Sequence, residues 1–218
     1  ICTFEGFNFE KIIFAQSKSK DINIKNIGIQ HASIIKNQNS IYKLQDTNFF
    51  PDFIFTSGVY YEKLFKTKII NNTAVKTIGS NKFNFTNYKN HNKENLCLVL
   101  PEAILSECDI LFNFTLKYLK KYDNLKFIWR LHPLMNIKET LKKLSIDNFS
   151  SEKIILSSNY DEDFFKSKYC LYRGSTSVIQ SIKYSIAPLY LNLKEDFNID
   201  PIIDLNLNNS INSIDDLY

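Results

Sequence analysis

Short apolar runs that alternate with helix-period stretches constrain the fold of this chain more than any other feature. Leu96–Leu100 is an unbroken apolar run of strand length, and Pro101-Glu102 ends it. From Ile104 to Lys121, Leu105, Cys108, Leu111, Phe112, Thr115, Leu116 and Leu119 recur on one side at helical spacing. The alternation continues with strands at 127–131, 154–156, 169–172 and 189–193 and helices at 137–144, 161–167 and 177–184. Strands that are apolar throughout, each followed by a helix, predict a parallel sheet covered on both faces. The amino-terminal part repeats the pattern, with strands at 1–4, 24–29, 52–56 and 75–78 and helices at 8–19 and 60–65.

The pattern predicts an α/β chain of two Rossmann-like domains with parallel sheets, one over 1–80 and one over 96–218. Residues 81–95 lose periodicity and turn to Asn, Lys, Tyr and His, the composition of a linker, and His91 within them is expected to be solvated. The tail from Asn206 reads as the stump of a truncated helix. The chain opens at Ile1 rather than Met, and its first domain is short, so that domain is expected to be incomplete.

Composition narrows the function. At 44% hydrophobic and 23% charged, the 218 residues make an ordinary globular chain. A net charge of +4, with the lysines spread out, gives no basic stripe for nucleic acid but suits a small anion. Cys2, Cys97, Cys108 and Cys170 lack C-x-x-C spacing and only three His are present, so no metal is expected, and the cysteines read as buried thiols of a cytoplasmic protein. No stretch has the length of a membrane span. The glycine fingerprints of dinucleotide and P-loop sites are absent, which removes dehydrogenases and ATPases from the front rank.

The candidate chemistry sits at strand ends. Phe127-Ile128-Trp129 delivers Arg130, His132 and Pro133 to the carboxyl end of one strand; Tyr169–Tyr172 delivers Gly174, Ser175, Thr176 and Ser177 to the end of another. A cation and an imidazole beside a hydroxyl-rich helix start make a cradle for one phosphate. Caps and a turn are the competing reading. Glu5 and His31 follow the first two strands, and Glu10 lies on the first helix, spaced so that both carboxylates could face one cleft as base, nucleophile or orienter. Glu10 serves equally as a first-turn acid that complements the helix dipole. Glu102, with Glu107 nearby, is placed to hold a ribose hydroxyl. Asp161-Glu162-Asp163 has metal-pair spacing, but a helix cap with first-turn acids explains it more simply.

The ordered set Phe4-Glu5-Gly6 with Phe9-Glu10-Lys11, Gly28-Ile29-Gln30-His31, Pro101-Glu102, Arg130-Leu131-His132-Pro133 and Tyr172-Arg173-Gly174-Ser175-Thr176-Ser177 resembles bacterial surface-carbohydrate GT-B glycosyltransferases. Within these, the His-Pro and Ser/Thr pair is similar to that of transferases using CMP-activated sugars such as sialic acid, Kdo and other nonulosonates. The likeness runs from Ile1 to Leu193. It implies a GT-B-like enzyme that works without a metal or cofactor and takes a CMP-sugar as donor substrate. Arg130 and His132 would face the CMP phosphate, Ser175–Ser177 would complete its cradle, Glu5 would be the catalytic carboxylate and His31 would lie near the reacting centre. The implied partners are a nucleotide-sugar donor and a glycan or glycolipid acceptor, with peripheral attachment to the inner membrane as a further expectation. A UDP- or GDP-sugar donor, a CDP-linked polyol, and a non-catalytic nucleotide- or carbohydrate-binding module are the alternatives.

Overall fold

The computed structural model describes residues 1–20, 23–34, 38–41, 46–69, 72–80, 93–147, 149, 152–207 and 209–218. The chain divides into two compact units, Ile1–Asn84 and Phe85–Tyr218. Most of the expected linker, with His91, lies outside the described residues. Of its last residues, Lys93 donates to the carbonyls of Ser167 and Tyr184 at 3.1 and 2.6 Å, and the Glu94 amide donates to that of Lys166. They therefore belong to the second unit.

In the first unit, strands β1 (Cys2–Thr3), β2 (Ile27–Ile29), β3 (Phe53–Thr56) and β4 (Ala74–Thr77) form a sheet in that order, every pair parallel. Helices α1 (Asn8–Lys20) and α2 (Val59–Lys68) supply the crossovers from β1 to β2 and from β3 to β4, while the segment from β2 to β3 carries 3-10 turns at Asn39–Ile41 and Thr47–Phe49. Phe4, Phe14, Phe50, Ile54, Phe65 and Val75 fill the core. The spacing of Phe9, Ile12 and Ile13 predicts their burial, yet α1 turns Glu10 and Phe14 inward and leaves those three exposed. A polar demand outranks the apolar stripe here, because the Glu10 carboxylate holds the loop before the helix.

In the second unit, β5 (Leu96–Leu100), β6 (Lys126–Trp129), β7 (Ile154–Leu156), β8 (Tyr169–Tyr172), β9 (Ala187–Leu191) and β10 (Asn209–Ile211) form a six-stranded parallel sheet, ordered β10-β9-β8-β5-β6-β7. Residues of β5 alternate between two cores. Cys97 and Val99 pack with Leu111, Phe112 and Leu141, from α3 (Leu105–Lys121) and α4 (Ile137–Lys143). Leu96, Leu98 and Leu100 pack on the other face with Phe164 and Tyr184, residues of and just after α5 (Tyr160–Lys166) and α6 (Ile179–Lys183). Burial on both faces explains the unbroken apolar run. The tail is a strand and not a helix stump: β10 pairs with β9, buries Ile211, and is followed by a 3-10 turn, Ile214–Leu217, with a Ser213/Asp216 capping box. Three residues of strand carry too little periodicity to be read, and only the free edge of β9 makes the segment extended.

Strand order reverses between β5 and β8, with chain connections leaving to opposite faces on either side. In such sheets the carboxyl ends at the reversal leave a crevice. In the first sheet, close packing is strictest at Gly28, where a Cβ would fall 2.9 Å from both Phe4 Cβ and Pro51 Cγ. Gly28→Ala is therefore expected to cost about 1–3 kcal/mol of stability by overpacking, measured as a lower urea midpoint at unchanged slope.

Candidate functional site

The carboxyl ends of β5, β6 and β8 surround a cavity of about 230 Å³ lined by Leu100, Pro101, Arg130, Leu131, His132, Pro133, Tyr160, Ser175 and Ser177. The two motifs that the sequence places on separate strands thus share one wall. Each is brought there by a rigid element: Arg130 is the first residue past β6, where its amide still bonds to Val99, and Ser175 lies three residues past β8.

The polar groups of the wall are set by their partners. The Leu134 amide donates to Nδ1 of His132 at 3.3 Å. A neutral His132 therefore carries its proton on Nε2, as a donor. Ser175 makes no side-chain capping bond at the 3-10 turn Thr176–Val178, so it is not spent as a helix cap. Ser177 lies within hydrogen-bonding reach of the Tyr160 phenol, whose pKa burial raises, with Ser177 and the Arg130 charge opposing the rise.

Arg130 is less free than the sequence suggests. Its Nη1 lies 3.1 Å from Asp163 Oδ2 and donates to Ser157 Oγ at 2.6 Å, and Ser157 donates in turn to Asp163. Its guanidinium stacks 4.5 Å over the ring of Tyr160. Asn159 caps α5 through the amides of Asp161 and Glu162, so the acidic triplet is a first turn in which Asp163 alone is drawn to the cavity wall. Ser157, Tyr160 and Asp163 are the residues that sequence reasoning missed. The available signal was an acid in the first turn of the helix after β7, the neighbour of the strand that delivers Arg130.

Two expected cradle residues stand differently. Thr176 is exposed and off the cavity wall. Gly174 supports the cradle from behind: a Cβ there would overlap the Glu102 carboxylate, which occupies that space. Glu102 accordingly packs on Gly174 and not along the cavity. Beside it Arg173, 3% exposed, donates from Nη2 to Asp196 at 2.9 Å. Its Nε lies 3.0 Å from Glu107 Oε2 without the alignment of a hydrogen bond, which makes that contact coulombic. Nη1 of Arg173 finds no acceptor among the described residues. Burial pushes the Glu102 carboxyl up and the Glu107 charge adds to the rise; Glu107 is itself raised by burial, against the pull of Arg173.

The first unit holds a second constellation. Glu5, 5% exposed, uses Oε1 to accept the amides of His31 at 2.8 Å and Ala32 at 3.0 Å, and the same oxygen lies 2.9 Å from His31 Nδ1. The Gln30 side-chain carbonyl accepts the amide and hydroxyl of Ser57, tying the carboxyl end of β2 to that of β3. The contact at His31 Nδ1 is short but lacks the alignment of a hydrogen bond, so it is coulombic and leaves the tautomer of His31 unassigned. The His31 side chain is 52% exposed, so the imidazole is accessible.

Glu10 does not share this placement, a correction to the pairing of both carboxylates in one cleft. Its Oε2 accepts the amides of Glu5, Gly6 and Phe7 at 3.0, 2.9 and 3.0 Å, and its Oε1 accepts the Thr3 hydroxyl and, at 3.2 Å, the Glu5 amide. Both oxygens are taken up by the loop that presents Glu5. Among the described residues no three His, Cys, Asp or Glu side chains converge as metal ligands, and no helix is long and apolar enough to cross a membrane.

No family model matches the chain, and neither does any curated protein sequence. Solved structures do. The chain is similar to TarM at 15% identity and TM-score 0.53, over 89% of this chain and 42% of that one. It is similar to the glycotransferase of kitacinnamycin at 10% identity and TM-score 0.56, over 93% and 62%. It is similar to the UDP-GlcNAc 2-epimerase of Methanocaldococcus jannaschii, solved with UDP-GlcNAc and UDP, at 13% identity and TM-score 0.56, over 95% and 70%. The fold is GT-B-like. In this chain each of the two units carries a parallel sheet. The chain spans under half of TarM and about three fifths of the kitacinnamycin enzyme.

Because four amide contacts and a hydroxyl converge on Glu10, Glu10→Gln turns an amide donor toward other donors. It is expected to cost about 2–3 kcal/mol of stability, read from urea denaturation.

Proposed function

We propose that the chain is a glycosyltransferase using a nucleotide-activated sugar, with the donor's phosphate held in the cavity at the ends of β5, β6 and β8. One observation carries this reading: His132, Ser175 and Ser177 converge on that cavity at the point where strand order reverses. The hydroxyls and the Nε2–H of His132 are fixed donors. As the bond from anomeric carbon to phosphate oxygen breaks, negative charge grows on the departing phosphate, and donors already in place stabilise it without reorganising.

The oxygen of the acceptor hydroxyl bonds to the anomeric carbon as its proton leaves to a base. The first unit, taken by itself, carries a carboxylate–imidazole pair suited to general-base chemistry, with Glu5 pinned by two amides and His31 Nδ1 2.9 Å from Glu5 Oε1. Glu10 keeps Glu5 in position. Arg130, partly neutralised by Asp163, contributes geometry more than net charge.

The motif resemblance supports a CMP-linked nonulosonate as donor, with a surface polysaccharide or glycolipid as acceptor and the cytoplasmic face of the inner membrane as the place of work. A second reading, a UDP-linked sugar, is favoured by the ligands named for the M. jannaschii epimerase. Calorimetry of the full chain with CMP, UMP, UDP and GDP separates them. His132→Ala is expected to weaken the preferred nucleotide roughly tenfold or more, the value of one hydrogen bond to a charged group. A chain that binds none of the four, or whose affinity ignores the His132 substitution, does not use this cavity for a donor.

A further inference from the structure

We infer that Asp163 is a specificity-determining residue that sets the charge of the cavity, so that it holds one phosphate and disfavours a second. The inference rests on the reading of this cavity as the donor's phosphate site. Among the described residues that line the cavity, Arg130 is the only permanently charged side chain, and its guanidinium is paired with Asp163 Oδ2 at 3.1 Å. The pair is largely out of solvent, with side-chain exposures of 19% and 11%, so water screens it little. A ligand therefore meets hydroxyls, an imidazole and a guanidinium already opposed by a carboxylate.

The neighbouring strand end reinforces this balance. Around Arg173 stand Glu107, Asp196 and, against Gly174, Glu102, so one cation faces three carboxyls directly behind the Ser175–Ser177 turn. Even with the carboxyls of Glu102 and Glu107 raised by burial, this cluster adds no positive charge to the cavity. Among the described residues of the second unit, then, neutral donors can bind one phosphate, but no unopposed cation is on the wall for the further charge of a diphosphate.

Asp163 acts through Arg130, which makes it a positioning and charge-setting residue. The Ser157 hydroxyl, bonded to both, holds the pair in register. Removing the carboxylate's charge while keeping its shape frees the guanidinium for a second phosphate.

The test is calorimetric titration of the full chain with CMP against CDP and with UMP against UDP, so that the choice of base and the number of phosphates are read separately. The unaltered chain is expected to bind the monophosphate of its preferred base at least as tightly as the diphosphate. Asp163→Asn is expected to move that ratio toward the diphosphate by roughly five- to tenfold, the effect of one unopposed charge a few ångströms from a second phosphate. The double variant Arg130→Gln/Asp163→Asn, which restores the original charge balance, is expected to return the ratio to its starting value, a recovery that mere disruption of the fold would not give. A ratio unmoved by Asp163→Asn overturns the inference and leaves the donor-site reading standing. A tenfold or greater preference of the unaltered chain for the diphosphate overturns it whether or not the variants fold. Binding of no nucleotide at all overturns the donor-site reading itself, and this inference with it.

Discussion

Parallel pairing of β5 with β8, register Cys97 to Tyr169 through Leu100 to Tyr172, is the constraint on which the second unit depends. Two strands 72 residues apart in sequence, counted from Cys97 to Tyr169, become neighbours. Their crossover helices then lie on opposite faces, since right-handed connections that run in opposite directions along a parallel sheet cover opposite sides. The carboxyl ends spread as a result, and the opening that remains is the cavity. The burial of both faces of β5 follows from the same arrangement: α3 and α4 cover one side, α5 and α6 the other.

The two strand-end histidines are set differently by what stands at Nδ1. An amide aimed at Nδ1 makes a neutral His132 a donor through Nε2, whereas Nδ1 of His31 lies 2.9 Å from the Glu5 carboxylate in a contact without hydrogen-bond alignment. Carboxylates at the strand ends divide in the same way. Glu10 is consumed by backbone amides, Asp163 by a guanidinium, and Glu102 by its packing on Gly174. Glu5 is held by one oxygen, and no hydrogen bond to the other is found among the described residues.

Much of the fold was legible because periodicity is a local property. The runs at 96–100, 154–156 and 169–172 coincide with β5, β7 and β8, and the helix over 104–121 is displaced by one residue at its start. β10 was not legible, since Asn209, Ser210 and Ile211 have no strand signature and are extended only by their ladder with β9. Nor was the exposure of Phe9, Ile12 and Ile13, where a buried carboxylate decided the rotation of α1. At the site, His132, Ser175 and Ser177 were legible from their positions after strand-forming runs. Tyr160 and Asp163 were not, because the acidic first turn they belong to is explained locally by helix capping.

Sequence alone determined the alternation of strands and helices, the apolar character of the central strands, and the delivery of Arg130, His132 and Ser175–Ser177 to strand ends, since each depends only on residues near in the chain. Tertiary structure decided which strand ends are neighbours, which carboxylate meets which cation, and which carboxylate stands beside the His31 imidazole. Those are outcomes of contacts between residues far apart in sequence. Charge and hydrogen-bond partnership are set by distances of a few ångströms, which only the folded sheet brings about.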